Sequence, residues 1–210
     1  MRDDRELDPV VSAPEMFMSI ARLAAMRSKD PRTKCGACIV FRGRSIGVGY
    51  NGFTPGMPDF PEIWETELKY DRVEHAERNA IHNADRLQLA IAAANMSSRN
   101  IKNEQSLGLE AAEMYIWTTK QYLPCPECAK AIAFNGISTV WVDFDPTSVL
   151  SNSKYDWTAT LDIFKYAGVS IKMAPGDINL IFKEMPHEKS IDYGDSGAGR
   201  DVSDGAPPTA

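Results

Sequence analysis

The chain has 210 residues, 43% of them hydrophobic, and a net charge of −6. This composition is ordinary for one soluble globular domain, and no apolar run approaches the roughly 18 residues of a membrane span. Residues 1–15 and 186–210 each carry two basic and five acidic residues, which leaves a near-neutral centre without the basic field that a polynucleotide-binding protein needs.

The predicted elements alternate between strands and helices. In chain order they are a helix over 14–27, a hairpin of strands 36–41 and 45–50, a polar loop over 51–61, a helix over 75–95, a strand over 113–119, a helix over 126–135, a strand over 139–143, a helix over 157–167 and a strand over 169–173. Strands that alternate with helices after position 113 predict parallel pairing with right-handed crossovers. We therefore expect an α/β fold, in which a five-stranded mixed sheet is flanked by helices on both faces.

We expect one catalytic domain over 14–185. An N-terminal extension, 1–13, precedes it, and an acidic tail, 186–210, follows it. The tail is rich in Gly, Ser, Asp and Pro and has little to bury, so disorder is expected there. The stretch 96–112 is polar and weakly periodic, which predicts a surface insertion after helix 75–95.

Two short motifs together predict a metal site. His75-Ala76-Glu77 opens a predicted helix, and Cys125 and Cys128 lie three residues apart at the start of another. Residues i and i+3 share a helix face, so both sulfurs can reach one ion. A catalytic zinc site has three protein ligands and one open position, whereas a structural site usually has four. His75, Cys125 and Cys128 therefore predict one catalytic Zn²⁺ per chain.

Glu77 is the predicted proton carrier of the reaction. It is two residues from His75 and is not needed as a metal ligand, so its carboxylate can accept and donate protons. Zinc lowers the pKa of a water molecule bound to it to about 7, which makes hydroxide available near neutral pH. The order H-x-E…P-C-x-x-C is the signature of zinc-dependent nucleobase deaminases. A structural zinc module and a catalytically inactive relative are the alternatives.

The other cysteines and histidines are not predicted ligands. Cys35 and Cys38 form a second C-x-x-C, but residues i and i+3 of a strand face opposite ways, so we expect two buried thiols. His82 is interpreted as an ordinary polar position, and His187 lies in the tail. Cysteines committed to metal and an N-terminus without a signal-peptide pattern predict a cytoplasmic protein.

Several stretches of the chain resemble the deoxycytidylate deaminases of the zinc-dependent cytidine deaminase superfamily. They are Arg-Ser-Lys-Asp-Pro at 27–31, Gly-Ala-Cys-Ile-Val at 36–40, Gly-Tyr-Asn-Gly at 49–52, His-Ala-Glu-Arg-Asn-Ala-Ile at 75–81, Pro-Cys-Pro-Glu-Cys-Ala-Lys at 124–130 and Ala-Gly-Val at 167–169. The resemblance implies conversion of dCMP and water to dUMP and ammonia for thymidylate synthesis. It also implies a homo-oligomer, usually a hexamer, that dCTP activates and dTTP inhibits, with Mg²⁺ accompanying the triphosphate.

The resemblance further implies roles for residues outside the metal site. Asn51 would bind a sugar hydroxyl, with a simple turn residue as the alternative, and the carbonyl of Leu123 would face the leaving amine. Arg27, Ser28 and Lys29 would bind phosphate; the alternative is that their cations complement the helix dipole. The remaining predicted residues contact the nucleotide (Ala76 and Tyr155) or the effector (Tyr50 and Gly52).

The substrate within this class stays open at the level of sequence. The 96–112 insertion and the long loop 144–156 leave dCTP or a 5-substituted dCMP as alternatives, and a tRNA-editing deaminase is less favoured because the centre of the chain is near neutral. Residues 53–73 contain neither Cys nor His, so no second zinc is expected.

Overall fold

A mixed five-stranded sheet of order β2-β1-β5-β6-β7 organises the chain. The computed structural model describes residues 10–65, 69–102, 110–148 and 156–175. The sheet strands are β1 Cys35–Phe41, β2 Arg44–Tyr50, β5 Ala112–Thr118, β6 Ile137–Val142 and β7 Ser170–Met173, and a separate short pair joins β3 Gly52–Phe53 to β4 Val73–Glu74. The helices are α1 Ala13–Ala25, α2 Pro61–Glu65, α3 Ala76–His82, α4 Arg86–Lys102, α5 Pro126–Phe134 and α6 Thr158–Ala167.

The pairing of the strands confirms the predicted topology. Strand β1 runs antiparallel to both β2 and β5, whereas β5, β6 and β7 run parallel to one another. Helix α5 connects β5 to β6, and α6 connects β6 to β7, as parallel strands require. The carboxyl ends of β5 and β6 therefore lie at one edge of the sheet, next to the start of β1.

Helices cover both faces of the sheet, as predicted, but unequally. Helix α1 packs on one face of the sheet, directly over Gly36. A Cβ at this position would lie only 2.0 Å from the Ala21 carbonyl oxygen, so the close packing requires glycine. Ala37, Ile39 and Phe41 point to the opposite face, into the main core with α3, α4, α5 and α6. This alternation separates the two thiols of β1: Cys35 packs against the main core, whereas Cys38 lies beside the Ser45 hydroxyl, 3.3 Å away. Cys38 is buried, as predicted, whereas Cys35 is only partly buried.

Helix α1 begins one residue before and ends two residues before the predicted bounds of 14–27, and a capping box stabilises its start. Ser12 Oγ accepts the Glu15 N–H, Glu15 returns a bond to the Ser12 N–H, and Pro14 occupies the first turn. This reciprocal capping box satisfies two of the four free N–H groups of the helix. The helix ends at Ala25, before the Arg27-Ser28-Lys29 segment.

The single helix predicted over 75–95 is wrong, because the chain breaks between α3 and α4. Asp85 donates its N–H to the Ile46 carbonyl at 2.8 Å and accepts the Gln88 N–H at 3.0 Å. Asp85 thus caps a new helix and ties the break to β2. The alanine spacing continued through the break and gave no local sign of it.

The predicted insertion over 96–112 is also too long. Residues 96–102 continue α4, Met96 is buried in the main core, and Ala112 already belongs to β5. Residues 103–109 lie outside the described part of the chain, as do the acidic tail, residues 1–9 and Tyr155. No helix within the described residues has both the length and the apolar character that crossing a bilayer requires.

Candidate metal centre and active site

Three side chains from two distant motifs converge at the amino ends of α3 and α5. Nitrogen Nδ1 of His75 lies 3.5 Å from Cys125 Sγ and 3.4 Å from Cys128 Sγ. The three ligand atoms all lie within 4.8 Å of one another. Among the residues that the structure describes, this is the only such group of three or more potential ligands.

These distances fit a tetrahedral zinc ion. With Zn–S bonds of about 2.3 Å and Zn–N bonds of about 2.05 Å, sulfur and nitrogen ligands lie about 3.5 Å apart. The observed sulfur–nitrogen distances are 3.5 and 3.4 Å. One imidazole and two thiols also form a donor set that suits Zn²⁺ and is unsuited to Mg²⁺ or Ca²⁺. The three residues therefore fit zinc in both geometry and chemistry.

Local structure directs these side chains toward one another. His75 and Cys125 are the N-cap residues of α3 and α5, and neither side chain makes a capping hydrogen bond. Pro126 starts α5 where its missing N–H costs nothing, and Cys128 follows on the same helical turn. The amino-terminal end of a helix also favours negative charge, and hence thiolates.

The three ligand groups share protons. A hydrogen bond from the Cys128 thiol lowers the pKa of Cys125, and the same bond raises the pKa of Cys128. A hydrogen bond with Cys125 raises the pKa of His75. A metal bound to these atoms would displace the shared protons, because ligating thiols and imidazoles must be deprotonated.

Glu77 lies beside this cluster and is buried, with 5% of its surface exposed. Burial raises the pKa of its carboxyl, while the nearby charge of His75 and a hydrogen bond with Cys128 act in the opposite direction. Burial, and then the charge of Glu77, raise the pKa of the Cys35 thiol, which therefore stays neutral in this surrounding. The structure thus brings Glu77 to the three predicted ligands as a carboxyl withdrawn from solvent.

The predicted sugar-binding residue Asn51 holds backbone together. Its Oδ1 accepts the Cys35 N–H at 2.8 Å, and its Nδ2 donates to the Thr33 carbonyl at 2.8 Å and to Asp30 Oδ2 at 3.5 Å. The short β3–β4 pair, which joins Gly52 to Glu74, brings Asn51 next to the segment that carries His75. Oδ1 has one lone pair left that could accept a hydrogen bond from a sugar hydroxyl. The sugar-binding role of Asn51 stays a prediction.

The three predicted phosphate-binding residues differ in exposure. Arg27 and Lys29 are exposed, and Lys29 pairs with Asp59 at 2.8 Å. Ser28 is buried; its hydroxyl accepts the Asp30 N–H, and its carbonyl accepts a hydrogen bond from the Lys34 ammonium. The segment is therefore an ordered loop with two cationic side chains at the surface.

The two glycines of Gly-Tyr-Asn-Gly lie in different surroundings. A Cβ on Gly49 would lie 2.2 Å from the Ala80 nitrogen and 2.6 Å from the Ala76 carbonyl oxygen. Gly49 therefore makes room for helix α3. Asn79 of the same helix donates to the Tyr50 carbonyl at 2.7 Å. Gly52 has no such neighbour, because its Cβ would meet only the Tyr50 ring, at 3.6 Å.

The remaining predicted nucleotide contacts have less support in geometry. Ala76 is fully buried at the start of α3, between the cluster and β2, and Leu123 is buried just before the cysteine motif. His82 ends α3, outside the metal cluster. The assigned roles of Ala76 and Leu123 stay predictions.

Sequence reasoning missed a buried ion pair at the edge of the site. Lys69 Nζ lies 3.2 and 3.1 Å from the two carboxylate oxygens of Asp30, and each side chain is 5% exposed. Asp30 Oδ1 also accepts the N–H groups of Arg32 and Thr33. The Asp-Pro pair at 30–31 signalled a turn, but nothing around Lys69 signalled burial.

Comparison with known proteins agrees with this geometry. The family described as "Cytidine and deoxycytidylate deaminase zinc-binding region" matches residues 11–143. The chain is 34% identical to an uncharacterized deaminase in the luxG 3′ region of Aliivibrio fischeri, over 77% of this chain and 93% of that protein. It is 32% identical to mouse deoxycytidylate deaminase, over 80% of this chain and 83% of the mouse protein.

A solved structure is also similar. The dCMP deaminase of cyanophage S-TIM5, crystallised with dCMP and dUMP, gives a TM-score of 0.46 and 24% identity over 76% of this chain and 94% of the phage chain. The family match spans more than half of the sequence and includes the His75, Cys125 and Cys128 cluster. The chain therefore belongs to the cytidine and deoxycytidylate deaminase family.

Proposed function

We propose that this protein is a zinc-dependent deaminase that converts dCMP and water to dUMP and ammonia. The observation that carries the proposal is the convergence of His75, Cys125 and Cys128, spaced as ligands of one tetrahedral ion, beside buried Glu77. Deoxycytidylate deaminases among its relatives support the choice of a nucleoside monophosphate.

His75 Nδ1 and the sulfurs of Cys125 and Cys128 would hold the zinc. Zinc bound there supplies a Lewis acid that activates water near neutral pH. The Glu77 carboxylate would take one proton from the water that attacks C4 and pass it to N3 of the cytosine ring. It would then take the second proton from the oxygen now bonded to C4 and deliver it to the amine, which leaves as ammonia when the C4–N bond breaks. Its burial keeps bulk water away from these transfers.

The loop after α1 would bind the 5′-phosphate. Arg27 and Lys29 present cations at the surface of an ordered segment, and buried Ser28 lies between them. Asn51, Ala76 and Tyr155 would contact the sugar and base, and the Leu123 carbonyl would accept from the leaving amine. These assignments rest on the family resemblance together with the positions of those residues that the structure describes.

Regulation and assembly are proposed from the family resemblance. The enzyme would be a cytoplasmic homohexamer that dCTP activates and dTTP inhibits, each with Mg²⁺, near Tyr50 and Gly52. Initial rates against dCMP with and without each triphosphate test this. Hyperbolic kinetics that neither nucleotide changes would contradict regulation and leave the deaminase proposal intact.

The substrate is tested by incubating the purified protein with dCMP, dCTP, CMP, deoxycytidine and 5-methyl-dCMP, and measuring ammonia release alongside zinc content. We expect one zinc per chain and the highest kcat/KM for dCMP. Faster turnover of dCTP or 5-methyl-dCMP would change the substrate assignment. Bound zinc without deamination of any of these compounds would contradict the proposal and leave a structural zinc module or a tRNA-editing enzyme.

A further inference from the structure

Helix α6 supplies no predicted zinc ligand, yet one of its side chains bonds to the segment that carries Cys125. Thr160 Oγ1 lies 2.8 Å from the Pro124 carbonyl oxygen, across 36 positions of sequence. Thr160 is fully buried, and Pro124 is among the most buried residues of the protein. The carbonyl can only accept, so the threonine hydroxyl donates this bond.

This bond acts on the backbone immediately before a zinc ligand. The proline ring restricts φ of Pro124, so the direction of its carbonyl is set mainly by ψ. Because the peptide unit is planar, fixing that carbonyl oxygen also fixes the N–H and Cα of Cys125. The side chain of Cys125 extends from this Cα toward His75.

A second contact joins α6 to the same segment, which we call the ligand loop, residues 119–125. The rings of Tyr122 and Trp157 lie 6.3 Å apart at an angle of 47°. Gln121 in this loop has a φ of 53°, an uncommon conformation for a residue other than glycine. Such a conformation typically persists where surrounding contacts hold the backbone, and Gln121 directly precedes Tyr122 in the chain.

We propose that Thr160 is a positioning residue of the metal centre, which holds the Pro124 carbonyl and through it the sulfur of Cys125. The inference rests on the proposed function, because it requires His75, Cys125 and Cys128 to bind zinc. Thr160 is not one of the three proposed ligands, and its hydroxyl bonds to the backbone next to one of them. It sets the geometry of a ligand from a helix that follows the motif by more than thirty residues.

The test compares zinc affinity with stability in matched variants. Thr160→Val keeps the branched shape and removes the donor, whereas Thr160→Ser keeps the donor. Zinc affinity is measured by competition with a chromophoric chelator, and Tm is measured with and without zinc. We expect Thr160→Val to bind zinc 10–100-fold more weakly, as loss of a partner behind a metal ligand typically does. We expect Thr160→Ser to recover most of that affinity.

A core variant separates positioning from general destabilisation. Val140→Ala removes two methyl groups from a fully buried position in β6, outside the ligand loop. It should lower the Tm of the zinc-free and zinc-loaded proteins alike, whereas Thr160→Val should reduce the rise in Tm that zinc causes. Thiolate-to-metal absorption of the Co²⁺-substituted protein should change in Thr160→Val and not in Val140→Ala.

The outcomes distinguish this inference from the proposed function. Wild-type protein that binds no zinc would overturn both. If the wild type binds zinc, two results would overturn the role of Thr160 alone. One is a Thr160→Val variant with unchanged zinc affinity and an unchanged zinc-induced rise in Tm. The other is a Val140→Ala variant that loses as much zinc affinity as Thr160→Val. If Thr160→Val does not fold, Thr160→Ala serves in its place, because it removes the donor and leaves more space beside the Pro124 carbonyl.

Discussion

His75 and Cys125 occupy positions where a helix ordinarily places a capping side chain. Ser, Thr, Asp or Asn at an N-cap typically stabilises a helix by about 1 kcal/mol relative to Ala. Here neither side chain caps its helix, since both turn toward the metal cluster. Both helices therefore lack the stabilisation that a capping side chain provides. Zinc binding, which is coupled to folding, would compensate for that loss.

Glu77 is the residue whose role can be tested by a change of one atom. Glu77→Gln keeps the shape of the side chain and removes the group that carries protons. We expect unchanged zinc content and a fall in kcat of about 10²–10⁴-fold, the usual contribution of general acid–base catalysis. Metal analysis and initial rates with dCMP measure both quantities.

Glu127 provides the matched control for that change. It lies between Cys125 and Cys128 in sequence, but it is exposed and pairs with Lys130. Glu127→Gln makes the same chemical change beside a ligand and should leave kcat near the wild-type value. A Glu77→Gln enzyme as active as Glu127→Gln would show that another group moves the protons.

At the scale of elements, contact between α3 and β2 places the catalytic helix. Gly47 and Gly49 let the helix backbone approach the strand, and Asn79 bonds to the Tyr50 carbonyl. A Cβ at Gly49 would meet backbone atoms of α3 at 2.2 to 2.7 Å. Backbone of a packed helix cannot move aside as the end of a flexible side chain can, so the position requires glycine.

We therefore expect Gly49→Ala to destabilise the protein by at least the roughly 1–3 kcal/mol typical of overpacking. It should also lower activity in the protein that remains folded, because displacing α3 displaces Glu77. Thermal unfolding and initial rates measure these effects. Gly52→Ala, in the same motif, is the control: its Cβ would make only ordinary contact with the Tyr50 ring at 3.6 Å. Equal stability of the two variants would contradict the packing role of Gly49.

At the scale of the whole molecule, the Lys69–Asp30 pair joins segments that are far apart in sequence. Asp30 follows α1, Lys69 precedes β4, and Asn51 at the end of β2 donates to the same carboxylate. The three segments meet beside the strand that leads into His75. A buried ion pair adds little net stability compared with apolar packing, but breaking it leaves an uncompensated charge.

Lys69→Met should accordingly lower the free energy of unfolding by about 3–5 kcal/mol, as loss of one partner of a buried pair does. The double variant Lys69→Met/Asp30→Asn should be more stable than the single variant, because the amide oxygen still accepts the N–H groups of Arg32 and Thr33 and carries no charge. Denaturant unfolding measures each value.

Lys130→Met is the matched control for this loss of charge. Lys130 and Glu127 are 56% and 63% exposed, and such surface pairs contribute at most about 1 kcal/mol. A Lys69→Met variant no less stable than Lys130→Met would show that the buried pair is not needed to join these segments.

The sequence by itself determined the metal cluster and most of the sheet. His75, Cys125 and Cys128 could be recognised because spacing within each motif brings ligands to a helix start. The parallel pairing of the last strands could be predicted because strands and helices alternate after residue 113. Each of these signals lies within a short stretch of chain, where helix and strand periods relate neighbours directly.

Only the tertiary structure decided the break between α3 and α4, the packing role of Gly49, the Lys69–Asp30 pair and the bond from Thr160 to Pro124. Each depends on partners between 27 and 39 residues away along the chain. A local period carries no information about such partners. A lysine that pairs inside the protein has the same sequence signature as one at the surface, because burial is settled by how the elements pack and not by the neighbours of a residue along the chain.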